Sequence, residues 1–277
     1  MNREEALEMT NRGVDELIAA LEQGKSDRLL EYLAFQARFH QYSFCNCLLI
    51  AMQQPDATHV AGFHRWRELG RFVKKGERGI MILAPLVRRR QSSETDSDGE
   101  EATSVRSVIG FRTAYLFDVS QTDGAEVPEF SSISGDPGEL LVQLRTLVAS
   151  YGVELRYEEQ LGGAEGLSEG GKIAILQGLS AASEFAVLVH ELAHERLHRT
   201  DRRPETTRRV RELEAEAVAF VVTRAAGLDG LNRSSDYIQL YGGDKEMFVA
   251  SLAHIQRVAA DLIGAMSLET ATRGKSE

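Results

Sequence analysis

His190-Glu191-Leu192-Ala193-His194 sets two imidazoles and a carboxylate directly after the apolar run Phe185-Ala186-Val187-Leu188-Val189. On a helix, residues four apart share one face, about 6 Å apart along the axis. Two imidazoles so placed reach one Zn²⁺ at roughly 2.0–2.1 Å each. Glu191 then faces the metal's open position, where a carboxylate takes a proton from bound water. Ser180 is a suitable cap and Glu184 a suitable first-turn acid, so the spacing predicts a helix beginning there. The histidines would sit at the edge of a core, as a zinc hydrolase site requires. The competing reading is an amphipathic helix with two incidental histidines.

A catalytic zinc usually takes three protein ligands. His198 is excluded as the third, because eight helical residues from His190 is roughly 12 Å along the axis. It reads instead as a helix-end residue favouring the C-terminal dipole, or as a contact behind the ligands. Glu212-Leu213-Glu214-Ala215-Glu216-Ala217-Val218-Ala219-Phe220 is the better source. Pro204-Glu205 suits a helix start and Gly227 its end. Glu212 and Glu216 flank the stripe Leu213, Ala217 and Phe220, while Glu214 is expected to point elsewhere. Glu212 is taken as the third ligand and Glu216 as the carboxylate orienting a ligand histidine, with their roles exchangeable. A solvated Glu face paired with Arg208, Arg209 and Arg211 is the alternative. Tyr237, followed by Tyr241, is the candidate for stabilising an oxyanion.

The chain has 277 residues, 43% apolar and 27% charged, enough for two modest domains with their own cores. No apolar run is long enough to span a membrane, and the acidic N-terminus is not a signal peptide, so a cytoplasmic protein is expected. Cys45 and Cys47 read as buried thiols in a reducing compartment.

The net charge of −10 argues against a protein coated in nucleic acid. Yet Arg65, Arg67, Arg71, Lys74, Lys75, Arg78, Arg88, Arg89 and Arg90 are opposed only by Glu68 and Glu77. Phe63, Trp66 and Phe72 interleave them, with Tyr42 and Phe44 shortly before. Cations for phosphates and rings for bases suit single-strand binding. The rings as core, and Lys74-Lys75-Gly76-Glu77 as a solvated turn, are equally consistent with composition.

Two resemblances extend these readings. Leu188-Val189-His190-Glu191-Leu192-Ala193-His194-Glu195-x-Leu197-His198 with Glu212-x-x-x-Glu216 resembles the ImmA/IrrE-type zincin domain, also found in ArdC-type proteins. The stretch 166–175 fits the strand that precedes the helix there, an edge to which a peptide adds as an extra strand. A metzincin is excluded by Arg199-Thr200. Gln41-Tyr42-Ser43-Phe44-x-Asn46, Ala57-Thr58-x-Val60-Ala61-Gly62-Phe63-x-x-Trp66, Gly70-Arg71-x-Val73-Lys74-Lys75-Gly76-Glu77-x-Gly79 and Phe117-Asp118-Val119-Ser120-Gln121-Thr122 resemble the N-terminal domain of ArdC-type antirestriction proteins. That resemblance implies single-stranded DNA as partner, with Tyr42, Asn46, Trp66, Arg71, Lys74, Lys75 and Arg78 at the DNA.

Helices are expected at 5–23, 27–54, 64–69 and 139–151, then from Ser180, from Pro204 and from Asp244. Strands are expected at 58–64, 78–87, 105–117, 153–157 and 172–176, with an acid-rich loop at 91–103 and disorder past 270. The fold class is thus α+β: a single-strand-binding domain over 1–122, a linker over 123–138 and a zincin-like metallopeptidase domain over 139–277. The expected activity is hydrolysis of a protein or peptide, possibly one bound to DNA, by zinc-activated water, with no small-molecule cofactor. Resemblance places it on a mobile element defending incoming DNA against restriction. The alternatives are a non-catalytic DNA-coating protein with a structural or vestigial zinc, or an IrrE-like protease that cuts one repressor.

Overall fold

A computed structural model describes residues 3–90, 105–125, 136–199, 202–228 and 238–273. In chain order its elements are α1 (Arg3–Glu22), α2 (Asp27–Arg38), α3 (Phe44–Gln53), β1 (Val60–Gly62), α4 (Phe63–Glu68), β2 (Arg71–Val73), β3 (Ile80–Arg90) and β4 (Val105–Asp118). There follow β5 (Thr122–Gly124), α5 (Glu139–Ser150), β6 (Glu154–Glu158), β7 (Gly166–Ser168), β8 (Lys172–Leu176) and α6 (Ala181–Leu197). The last are α7 (Arg202–Glu205), α8 (Arg208–Ala225), α9 (Ile238–Tyr241) and α10 (Lys245–Arg273). The mixture of helices and sheets is the α+β class read from sequence. Among the described residues no helix is long and apolar enough to cross a membrane.

The chain divides into two compact units, Met1–Gly13 with Leu48–Val127, and Val14–Cys47 with Pro128–Glu277. Residues 14–47 group with the later half although they precede 48–127 in the chain, because tertiary packing and not chain order decides the grouping.

In the first unit, β1, β4 and β3 form an antiparallel sheet in that order, and β2 pairs with β5. Asp118 ties its end. The buried carboxylate accepts from the Thr58 and His59 amides and from the Ser120 amide and hydroxyl. These hydrogen bonds outweigh burial and hold its pKa below the ordinary value. Gln53 braces the outer edge of β3, accepting from the Met81 amide and donating to the Met81 carbonyl.

In the second unit α6 packs along α8, α8 also touches α2 and α10, and β6, β8 and β7 form a sheet. The periodicity over 27–54 suggested one helix, but α2 ends at Arg38 and α3 begins at Phe44. The Tyr42 amide closes a turn onto the Phe39 carbonyl, and the Ser43 hydroxyl accepts from the Asn46 amide, as a helix cap does. Cys45 and Cys47 are both free; burial pushes the Cys47 thiol up to about 12. The expected start of α8 at Pro204 is also corrected. Pro204 lies in the single turn α7, and the Thr207 hydroxyl caps α8 by accepting from the Val210 amide.

The stretch 166–175 is a hairpin rather than one strand: β8 runs parallel to β6, and β7 is antiparallel to β8 at the sheet edge. The turn between them uses Gly170 (φ 73°) and Gly171 (φ 93°), a backbone region glycine enters without penalty.

Candidate metal centre

α6 is built as its sequence demands. The Ser180 hydroxyl accepts from the Ser183 amide, Phe185, Leu188, Val189, Leu192 and Ala193 are buried, and the helix ends at Leu197 with His198 as its C-cap. Its i, i+4 spacing brings His190 and His194 together, their Nε2 atoms 3.1 Å apart. Ala193, Ala215 and Ala217 are fully buried, and small side chains let two helices approach closely. That approach delivers Glu212 from α8, with Oε2 3.7 Å from His190 Nε2 and 3.6 Å from His194 Nε2. These three form the one group of potential ligand atoms found among the described residues. Ligands at about 2.0–2.1 Å from a tetrahedral ion lie roughly 3.3 Å from one another, so the donor set fits a divalent cation. His190 and His194 hold Glu212 well below the ordinary carboxylate range.

Glu191, buried beside the triad, has its pKa raised by burial, with His190 and His194 opposing and Glu212 and Glu195 adding to the rise. A carboxylate raised in this way is a better proton acceptor. It lines a cleft of about 570 Å³ with Gly166, Val187, His190, Glu216 and Phe220. A Cβ on Gly166 would lie 2.5 Å from Val187 Cγ1 and 2.8 Å from Glu191 Cγ, so only glycine lets β7 run this close to α6. One turn further on, Glu195 accepts from the Ser168 hydroxyl (2.6 Å) and from the amides of Gly170 (2.9 Å) and Gly171 (2.7 Å). The helix that carries the histidines therefore also holds the edge hairpin. Neither Gly166 nor Glu195 was named from sequence for these roles; nothing in their local spacing announces them.

Glu214 was expected to point elsewhere and Glu216 to orient a histidine. For Glu214 the structure overturns this. Glu216 lines the cleft, whereas Glu214, with no exposed surface, accepts from His198 Nε2 at 2.8 Å. Arg202 grips the same carboxylate through both guanidinium nitrogens, at 3.1 and 2.7 Å. Burial raises the Glu214 pKa, but hydrogen bonds from His198, Arg202 and Ser251 win and bring it down to about 2. The buried side of α8 extends far enough to include position 214 because α10 covers it as well as α6.

The residues expected at DNA fall in both units. Tyr42 and Asn46 lie in the second unit, Asn46 buried and Tyr42 half-buried against Phe39. Trp66 is corrected: it is only 2% exposed, and its indole N–H donates to the Phe117 carbonyl at 2.8 Å, so no base stacks on it. Trp66→Ala is expected to cost roughly 3–5 kcal/mol of stability, read by denaturant unfolding of the protein. Arg71 is also corrected: its guanidinium is spent on the Thr122 hydroxyl and the carbonyls of Thr122, Gly124 and Ala125. Lys74 reaches the Ser120 carbonyl and Asp123, while Lys75 and Arg78 are exposed. Tyr237 lies outside the described residues; Tyr241 packs edge-on against Phe248.

The exposed rings of the first unit are others. Strand alternation puts Phe111, Thr113, Tyr115 and Phe117 on one face of β4, and Phe63 meets Phe117 edge-on at 6.5 Å. Phe63, Phe111 and Tyr115 are each close to half exposed. A Cβ at Gly79 would lie 2.9 Å from Tyr115 Cβ and 3.2 Å from Phe117 Cζ, so this glycine leaves the rings their room. Arg78 and Lys75 stand just before it in sequence.

Residues 8–117 match the family model of the N-terminal domain of anti-restriction factor ArdC. The fold is similar to that of ArdC protein from the R388 plasmid in two crystal structures. The metal-free one gives a TM-score of 0.56 at 20% identity, over 94% of this chain and 98% of that one. The Mn(II)-bound one gives 0.53 at 18% identity, over 93% and 97%. An uncharacterized protein of Bacillus anthracis is 23% identical across 94% of this chain; the chain spans about half (52%) of that relative's length.

Proposed function

We propose that this ArdC-like chain is an antirestriction-type protein that binds single-stranded DNA and hydrolyses a protein or peptide at a zinc centre held by His190, His194 and Glu212. The observation that carries the hydrolytic part is the convergence of this triad with a buried Glu191, its pKa raised by burial, in a cleft beside β7, the last strand of its sheet among the described residues. A divalent cation held there would act as a Lewis acid and lower the pKa of water toward about 7. Two neutral imidazoles and one carboxylate suit zinc, and the same donors also accept Mn²⁺. The Mn(II)-bound form of the R388 ArdC protein supports a divalent cation in this fold.

The chain's own groups do the rest. The Leu176 amide donating to the Glu165 carbonyl and the Glu169 amide donating to the Lys172 carbonyl set the β7–β8 ladder. By antiparallel alternation, the backbone N–H and C=O of Gly166 and Ser168 face the free edge. An extended peptide pairing there passes beside Glu191. Glu191 accepts the proton of the attacking water and returns it to the leaving amine. The test is hydrolysis of denatured and DNA-bound protein substrates with zinc restored after chelation. Cleavage that persists with His190→Ala would sink the assignment.

Binding of single-stranded DNA is supported by the match to the ArdC N-terminal domain and by the row Phe63, Tyr115 and Phe111 near Arg78 and Lys75. Stacking contributes about 1–3 kcal/mol per base. Combining Tyr115→Ala with Phe111→Ala is therefore expected to weaken binding to an oligothymidine by at least about tenfold in fluorescence anisotropy. Replacing Lys75 and Arg78 should lower the salt slope by about 0.7 for each phosphate that is no longer neutralised. Unchanged affinity in the first and an unchanged slope in the second would remove this surface. DNA bound in cis would raise the local concentration of proteins on the same strand.

A further inference from the structure

We propose that His198 is a positioning residue that, anchored by Glu214, locks His194 in the one neutral tautomer able to bind a metal through Nε2. The inference rests on the metal-centre reading above and concerns a residue behind the ligands.

The geometry is a chain of two hydrogen bonds running inward from Glu214 on α8 through His198 to His194, with Arg202 gripping its outer end. Arg202 donates twice to Glu214. Glu214 Oε2 lies 2.8 Å from His198 Nε2, His198 Nδ1 lies 3.2 Å from His194 Nδ1, and His194 Nε2 is the atom that faces His190 and Glu212. Both anchoring residues are sealed from solvent, His198 at 1% and Glu214 at 0% exposed.

Proton counting settles the rest. A carboxylate gripped by a guanidinium is ionised and only accepts, so His198 Nε2 carries the hydrogen. A neutral imidazole has one donor and one acceptor, so His198 Nδ1 is the lone pair. The facing Nδ1 of His194 must then be the donor, because two lone pairs at that distance repel. That leaves His194 Nε2 bare and aimed at the triad. Metal-binding histidines ordinarily fix their tautomer through a carboxylate or carbonyl directly. Here a second imidazole is interposed, because Glu214 sits one helical turn beyond the reach of His194. The same helix thus serves the centre twice: Glu212 as ligand, Glu214 as anchor.

Two measurements test this. The first needs no variant. In the metal-free wild-type protein at a pH where imidazoles are neutral, ¹⁵N spectra of labelled histidines should show His194 protonated at Nδ1 and His198 at Nε2. The second is zinc affinity against a chromophoric chelator, alongside a circular-dichroism check of fold. His198→Leu, which can neither accept from His194 nor donate to Glu214, should weaken binding about 10–100-fold. His198→Gln should recover most of it, since its carbonyl accepts and its amide donates; a merely space-filling role would not favour Gln over Leu. A dominant Nε2–H tautomer of His194 overturns the proposal, as does wild-type affinity in a folded His198→Leu protein. If His198→Leu fails to fold, the wild-type tautomers decide alone. Failure of the wild-type protein to bind zinc would instead overturn the metal-centre reading, while the tautomer measurement would still judge the relay.

Discussion

Glu191→Gln is expected to leave zinc affinity and fold intact and to lower peptide hydrolysis by about 10²–10⁴-fold. Gln matches Glu in size and can occupy the same buried position beside His190 and His194, so the triad is undisturbed. What it cannot do is take a proton from water or return one to the leaving amine. Burial already raises the proton affinity of Glu191, which makes it the group best matched to this task in the cleft. The informative experiment follows cleavage, zinc content and protection of incoming DNA in parallel. Hydrolysis at the wild-type rate would refute the mechanism. Full protection with hydrolysis abolished would instead separate the two functions, and favour a DNA-coating role in which the metal centre has no catalytic part.

Glu214→Leu should be the most destabilising change at the centre. Removing one partner from a buried ion pair leaves the other charge uncompensated, at a cost of about 3–5 kcal/mol. For a chain of this size that lowers the melting temperature by on the order of 10 °C. Arg202 keeps its charge with no acceptor, and His198 loses its anchor. The wild-type protein should show the matching pH dependence. Glu214 is held at about 2 in the folded state, against about 4.3 in an unfolded chain. The unfolded state takes up that proton first as pH falls. The contribution, about 3 kcal/mol as an order of magnitude, is therefore fully present above roughly pH 4.3 and is lost as pH drops to about 2. Denaturant unfolding at pH 5 and pH 3 checks this: the drop between them should shrink in a folded Glu214→Leu protein. An equal drop in both would show that other carboxylates govern acid stability.

Much of the centre was legible because it is written in helical spacing. His190, Glu191 and His194 depend only on the i, i+4 geometry of one helix, and the cap at Ser180 is equally local. Position 212 on α8 could be nominated because the alanines around it signal close packing. Its neighbours could not be sorted. Glu212, Glu214 and Glu216 are alike in sequence, and which one is buried depends on the several helices that surround α8. The rings of the first unit misled for the same reason. Trp66 and Phe72 flank the same cations, yet one is buried with its indole N–H on the Phe117 carbonyl and the other is 60% exposed. Aromatic residues suit cores and ligand surfaces equally, and composition does not distinguish them.

From sequence alone came the α+β class, the helix with its two histidines, the carboxylate between them and a candidate third ligand on a later helix, since each rests on short-range periodicity. Tertiary structure alone decided that α8 approaches α6 closely enough to bring Glu212 onto the imidazoles. It also made Glu214 the anchor, through His198, and set β7 beside Glu191 by way of Gly166 and Glu195. The physical reason is burial. A carboxylate becomes a ligand, an anchor or a cleft wall according to what other elements pack over it, and that is a property of the assembled core.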